Sequence, residues 1–422
     1  MRRFLISCAA GSLACATAFA APADAGAAAF DATMNQLDKG GSTLYYNNIK
    51  DSMEQIQTAL DYMAKIPATG SDDQLTPERV VKLIRVFSRV LNLEALHAMG
   101  SSVKKMPDGL TNYRSFVYTG DSTLQGVLFD LVGRENRSLT LPTRLPESTI
   151  LAFETRLDFA TAWNSFCKAL AESPELPPEA KNVPANLEAA CRTAGVELAA
   201  LLKTISGTWS MVVVAADPTV SPLPMLRLSV PDQNGALFKL LQEKSGLQLT
   251  EKGQGRYSIV GLPLPILPEL TTGNGLLTIY SDARVEQVLK GGLIQSKTYG
   301  GYFKGMPEKS LGFFYLNVNQ QLWSLFLMQV QEPTFAALLQ QVPPPIFAGF
   351  STREKDGYAS TTRSNWHATP IVSNVAVLSG MLLPALNQAR ERARLIQKRQ
   401  QQMQQQAPAA PSAPQQQVPA AN

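Results

Sequence analysis

Histidine is almost missing from this chain: 422 residues contain two, His97 and His367. Neither has a second ligand beside it at metal-binding spacing, so each reads as a structural residue and not as a catalyst or metal ligand. HExxH, CxxC, P-loop and GxSxG arrangements are absent as well. That removes the zinc-protease, thiol-redox, nucleotide-binding and ordinary esterase chemistries that need them. Charge is thin, with 17% Asp, Glu, Lys and Arg, and the net charge of +4 owes much to the two ends, Arg2-Arg3 and the run after Arg390. No basic surface for nucleic acid follows from that balance. Catalytic, cofactor-binding and metal-ligating residues are therefore all expected to be none.

Cysteine is scarce too, and two of the four, Cys8 and Cys15, fall in the leading segment. Arg2-Arg3, the apolar run over residues 4–16, and Ala18-Phe19-Ala20 ahead of Ala21 supply in order the charged, apolar and small-residue regions of a secretory signal peptide. The expected mature chain starts at Ala21 and reaches the periplasm or cell envelope of a bacterium. Leu5-Ile6-Ser7-Cys8 also fits the short pattern of a lipoprotein site, but only residues 4–7 would serve as its apolar core, so cleavage before Ala21 fits better. Export leaves Cys167 and Cys191. In an oxidising compartment these two thiols can close a disulfide loop of about 25 residues, worth about 3 kcal/mol on the chain-entropy model. Cys191 equally shares a helical face with Leu187, Ala194 and Leu198, where an unpaired cysteine packs as a small apolar residue. Both readings stay open.

What the chain does have is apolar residues, 45% of the total, enough to bury real cores over a length typical of two or three domains. Residues 44–49 read as a strand. Asp51 with Glu54 then signals a helix whose apolar stripe is Met53, Ile56, Leu60 and Met63. Thr76-Pro77-Glu78 starts a second helix, with Val80, Leu83, Ile84, Phe87 and Leu91 as the expected buried face and Lys82, Arg85 and Arg89 outside. Three hairpins are marked by their turns, Pro107-Asp108-Gly109, Gly253-Gln254-Gly255 and Lys355-Asp356-Gly357. Further strands fit residues 126–132, 208–215, 223–230 and 275–280; further helices fit 158–171, 185–204, 235–244 and 282–290.

Residues 146–170, PESTILAFETRLDFATAWNSFCKAL, return in altered form at 307–330, PEKSLGFFYLNVNQQLWSLFLMQV. Each passes from Pro-Glu through a short apolar strand into a helix, and Trp163 with Phe166 answers to Trp323 with Phe326. Strand, helix, helix and hairpin come round about three times, so the expected class is α+β: repeated strand-helix-helix-hairpin units forming antiparallel sheets with helices on one face. The expected organisation is a signal peptide at 1–20, a flexible lead-in at 21–40 and α+β units at 41–145, 146–305 and 306–368. A tail helix at 369–399 and a disordered Gln, Pro and Ala tract at 400–422 follow. The aromatic pairs stand at helical spacing, where core packing is the default and lining an apolar ligand groove the alternative.

Residues 371–386 form a mostly apolar run followed by a basic stretch that includes Arg390, Arg392, Arg394, Lys398 and Arg399. Such a segment can anchor in a membrane with its basic flank inside, lie at an interface, or pack on a protein partner. Gly380-Met381-Leu382-Leu383-Pro384-Ala385-Leu386-Asn387-Gln388-Ala389-Arg390-Glu391-Arg392-Ala393-Arg394 resembles the end of the amino-terminal helix of type IV pilin-like proteins, the pseudopilins. In that family the helix follows a processing site directly; here it lies near the opposite end, and no pilus subunit is inferred. More broadly, Leu96-His97-Ala98-Met99-Gly100-Ser101-Ser102, Leu145-Pro146-Glu147-Ser148-Thr149 and the Asp-Pro ending of residues 211–218 resemble uncharacterised exported bacterial proteins that carry a domain of unknown function. That resemblance implies no activity.

Ser101-Ser102-Val103-Lys104 fits the S-x-x-K pattern of penicillin-interacting serine enzymes, and Lys297-Thr298-Tyr299-Gly300 is a loose K-T-G. That chemistry needs serine and lysine on one helix face, whereas this segment reads as a hairpin strand, on which residues three apart face opposite ways. The expected function is a non-enzymatic structural or interaction module of the cell envelope, meeting an envelope protein or the membrane through its tail helix. The alternatives are a periplasmic carrier or sensor of a hydrophobic small molecule, and a hydrolase with no recognisable motif.

Overall fold

The structure, a computed structural model, describes residues 23–65, 77–120, 126–217, 219–221, 223–261, 267–329 and 339–366. The segments expected as signal peptide, tail helix and polar tract, together with His367, lie outside the described residues, and all described residues belong to one unit, Met1–His367.

The first passage runs α1 (Ala23–Asn35), β1 (Thr43–Asn48), α2 (Ile49–Ala64), α3 (Pro77–Val90), β2 (Ala98–Lys105) and β3 (Thr111–Tyr118). The second runs α4 (Val127–Val132), β4 (Arg137–Ser138), β5 (Thr149–Leu157), α5 (Phe159–Glu172), α6 (Pro178–Lys181), α7 (Val183–Thr193), α8 (Leu198–Ile205), β6 (Gly207–Val214) and β7 (Met225–Pro231). It continues through α9 (Ala236–Lys244), β8 (Gln248–Gly253), β9 (Arg256–Val260), β10 (Glu269–Gly273), β11 (Leu276–Tyr280) and α10 (Val285–Val288). The third has β12 (Lys309–Ser310), β13 (Gly312–Asn317), α11 (Gln320–Gln329), β14 (Ile346–Glu354) and β15 (Gly357–Ser364).

Thirteen of these strands form one sheet, in the order β1-β2-β3-β15-β14-β13-β5-β6-β7-β11-β10-β9-β8, while β4 and β12 pair separately. Every pair in both sheets is antiparallel. The class is α+β, as expected. The strand opening each tryptophan passage sits at the middle: β5 and β13 are neighbours, with Phe314 opposite Phe153 and Tyr315 opposite Ala152.

Local chemistry explains the ends of the elements. Asn48, not Asp51, caps α2: its Oδ1 accepts from the Asp51 N–H at 3.3 Å, and Asp51 stands in the first turn near the positive helix end. Asp158 caps α5 through the Thr161 N–H at 2.9 Å. In the β2–β3 hairpin Gly109 takes φ +83°, and the Asp108 carboxylate accepts from Leu110 N at 3.2 Å and pairs with Arg363 at 2.7 Å. That guanidinium, 3% exposed on β15, ties the turn to the far strand.

The largest core packs Ala152, Val212, Phe313 and Tyr315 from the central strands against Leu145, Val285, Leu293 and Phe303. Burial there pushes the Tyr302 phenol up to about 12 and that of Tyr315 higher still. Helices stand on both faces. Val285 of α10 shares a cluster with Met225 of β7, whereas Leu237 and Phe238 of α9 pack with Val230, five residues along the same strand, and an odd step changes face.

Four expectations are corrected. Helices, expected on one face of the sheet, pack against both. Residues 127–132 are helical, not a strand: Asp130 turns its carboxylate back to the Gly126 N–H at 3.1 Å, and Gly126 enters the turn at φ +142°. The long helix over 185–204 divides into α7 and α8 at Gly195, which adopts φ +77°. The helix over 282–290 shrinks to α10. The strand β10 was not foreseen, although Asn274-Gly275, both at positive φ (+52° and +72°), is a strong two-residue hairpin signal.

Candidate functional site

The two aromatic pairs form as their helical spacing requires. Trp163 and Phe166 stack with centroids 5.5 Å apart; Trp323 and Phe326 stack at 5.3 Å. They do not converge. Because β5 and β13 are antiparallel neighbours, α5 and α11 leave the central pair from opposite ends, and the two aromatic pairs have separate surroundings.

Trp163 is half-buried and donates its indole N–H to Glu188 on α7 at 3.2 Å, while Phe166 packs with Val86 and Val90 of α3 and Leu170 of α5. Trp323 is 3% exposed, meets Trp366 edge-on at 5.6 Å, and its indole N–H has no hydrogen-bond partner among the described residues. It stands in the wall of a groove of about 740 Å³ with Leu327, Met328, Val342, Pro343 and Pro344. Core packing thus describes Phe166 and Trp323, and Trp323 also borders the groove.

The side chains that sequence reasoning placed the wrong way round are on α3. Its inner face is Val81, Val86, Ser88 and Val90. Leu83, Ile84 and Phe87, expected inside, are 57%, 41% and 67% exposed. The neighbouring α2 buries Leu60 of its expected stripe but turns Ile56, Met63 and the adjacent Tyr62 outward, the last 71% exposed. Its partners explain the turn. Arg85 pairs with Asp61 of α2, and Arg89 makes a two-pronged contact with Glu175 at 2.6 and 3.1 Å. The Arg89 hydrogen bond holds the Glu175 carboxyl below the usual range, against the opposing effect of burial. Lys82 pairs with Glu78 one turn back at 2.7 Å. Two of the three basic residues are thus tied to neighbouring segments, valines fill the contact with α5, and the larger apolar side chains are left facing water.

Cys167 on α5 and Cys191 on α7 are both free thiols in the structure. Burial pushes the Cys167 thiol up, with the nearby Glu188 carboxylate adding to it. Ser101 and Lys104 both lie on β2, where Ser102 is 1% exposed and accepts from the Asp38 N–H at 3.0 Å. The strand geometry that separates serine from lysine in the S-x-x-K reading is therefore present. Among the described residues no group of three His, Cys, Asp or Glu side chains could hold a metal ion, and no helix is long and apolar enough to cross a membrane.

Compared with protein-family models, with curated proteins and with solved structures, the chain matches none.

Proposed function

We propose that this chain is an exported protein of the bacterial cell envelope that acts as a non-enzymatic interaction module, and that its contact surface is the outward stripe of α2 and α3. The observation that carries the reading is the exposure of Leu83, Ile84, Phe87 and Tyr62 on helices whose inner contacts are already filled. Covering one such side chain is worth about 1.5–3 kcal/mol, and several large apolar side chains exposed along neighbouring helices mark an interaction site on a folded protein. The strand-helix-hairpin passages opened by β1, β5 and β13 are, on this reading, copies of one unit used as scaffold. The tail helix at 369–399 brings the chain to an envelope partner or to the membrane.

The reading is tested by a photo-crosslinking residue placed at position 87 in the exporting cell, with position 239 on α9 as control. Adducts confined to position 87, and lost when Leu83→Gln is added, support it. Equal adducts from both positions, or none from a folded protein, sink it. Export is tested separately: the protein recovered from the periplasmic fraction should have a mass beginning at Ala21, and an intact amino end in the cytoplasm would refute it.

The groove beside Trp323 favours a second reading, carriage of a hydrophobic ligand. Mass spectrometry of gently purified protein should then find an apolar molecule, and an empty, well-folded protein would count against it.

A further inference from the structure

Where β5 hands over to α5, near the middle of the sheet, lies a cleft of about 340 Å³, at the small end of ligand sites. Its walls carry four carboxylates and three guanidiniums, from Asp130, Glu135, Glu154 and Asp158 and from Arg134, Arg137 and Arg156. The balance of sign is nearly even; the balance of unused hydrogen bonds is not.

The two buried carboxylates are spent on the protein. Asp130, with its side chain 1% exposed, accepts from the Gly126 N–H at 3.1 Å, from the Ser165 hydroxyl and from Arg134. Glu154, 4% exposed, accepts from the backbone of Thr140 at 3.0 Å and of Leu141 at 2.6 Å, and from the Thr140 hydroxyl at 3.3 Å. Asp158 is engaged in capping α5, so the positive end of that helix is already answered.

Arg134 is spent on Asp130, but the other two guanidiniums are less engaged. Arg156 stands two residues beyond Glu154 on the same face of β5, opposite Thr208 in register, and has no ion pair or hydrogen bond among the described residues. Among the described residues the Arg137 side chain meets only the exposed Glu135, at 3.3 Å. Ser310, 1% exposed in the wall beside them, holds a buried hydroxyl with no partner among the described residues. A buried hydroxyl left unpaired costs stability, which a ligand atom would recover.

We infer that this cleft binds a compact, acceptor-rich anion, a phosphate or carboxylate borne on a small organic molecule. Arg156 and Arg137 grip its charged oxygens in the planar fork geometry that suits both groups, and Ser310 donates to it. The site is independent of the apolar stripe on α2 and α3, so either can fail without the other.

The test is calorimetric titration of the full chain with glucose 6-phosphate and with glucuronate, using glucose as the neutral control. One of the two acids should bind at a single site and glucose should not; the phosphate and carboxylate arms decide which anion is preferred. Arg156→Gln should weaken that binding about tenfold or more, as expected for loss of a charge-assisted contact. Ser310→Ala should weaken it about threefold without lowering the melting temperature of the free protein, since the hydroxyl has no partner to lose. If Arg156→Gln does not fold, Arg137→Gln, whose side chain is 42% exposed, carries the test. Absence of binding by both acids, or binding unaltered in the arginine variants, overturns the inference.

Discussion

Trp163–Phe166 and Trp323–Phe326 have the same spacing, the same stacked geometry and the same place after a central strand, yet they do different work. The first is tied by its indole N–H to Glu188, and its phenylalanine packs from α5 against Val86 and Val90 of α3. The second has an almost fully buried indole with an idle N–H beside a groove. Helical spacing sets how two rings meet each other; which groups meet the pair from outside is decided by chain far away in sequence. The lesson is that resemblance between two stretches of sequence extends to their internal contacts and stops at their neighbours.

The sharpest way to break this comparison is truncation of both tryptophans. Trp323→Ala should cost about 3–4 kcal/mol in chemical denaturation, as for a fully buried aromatic, and Trp163→Ala about half that because its ring is only partly buried. Equal losses would erase the distinction. Replacement by phenylalanine isolates the N–H. Trp163→Phe should cost about 1 kcal/mol through its bond to Glu188, whereas Trp323→Phe, which removes a donor with no partner, should cost no more than the change in packing.

A smaller effect reports on the clamp around Phe166. Glu175 has its pKa lowered in the folded state by Arg89, so its contribution is present above the unfolded glutamate pKa and is lost as pH falls through the lowered folded value. Arg89 is 38% exposed, so about 0.5–1 kcal/mol is expected for this screened but two-pronged pair. Glu175→Gln should remove that part of the acid sensitivity, and unfolding curves that keep it would place its origin elsewhere. The smallest effect is at the outward stripe: Phe87→Gln should alter stability by no more than about 0.5 kcal/mol despite deleting an aromatic ring, and a loss of several kcal/mol would mean that Phe87 is covered after all.

Much of the sheet was legible because its hairpins are local. Gly109, Gly253 and Gly357 mark turns that the strands on either side simply obey, and Asn274-Gly275 carried a signal just as strong. The order of strands was not legible, since β15 beside β3 and β13 beside β5 join residues distant in the chain. Nor was the orientation of α3. Periodicity shows which residues share a face, but the choice between two partly apolar faces was made by Asp61 and Glu175, which no local window contains. The helix at α4 was missed for a partly similar reason: the Asp130 carboxylate within an apolar hexapeptide is met by Ser165 of α5 as well as by the nearby Gly126 and Arg134. Asp130 within apolar residues, and Glu154 with Arg156 on one strand face, were the visible hints of the cleft.

The sheet order also bears on how the molecule is made. The side from β5 to β8 is built from one uninterrupted stretch of chain, so it can assemble as soon as that stretch is available. The other side joins the earliest strands to the latest, for β3 has no second neighbour until β15 arrives. Until then the β2–β3 hairpin carries a bare rim of peptide groups, the kind of edge that recruits stray strands. A chaperone guarding the newborn chain would be needed longest at residues 111–118.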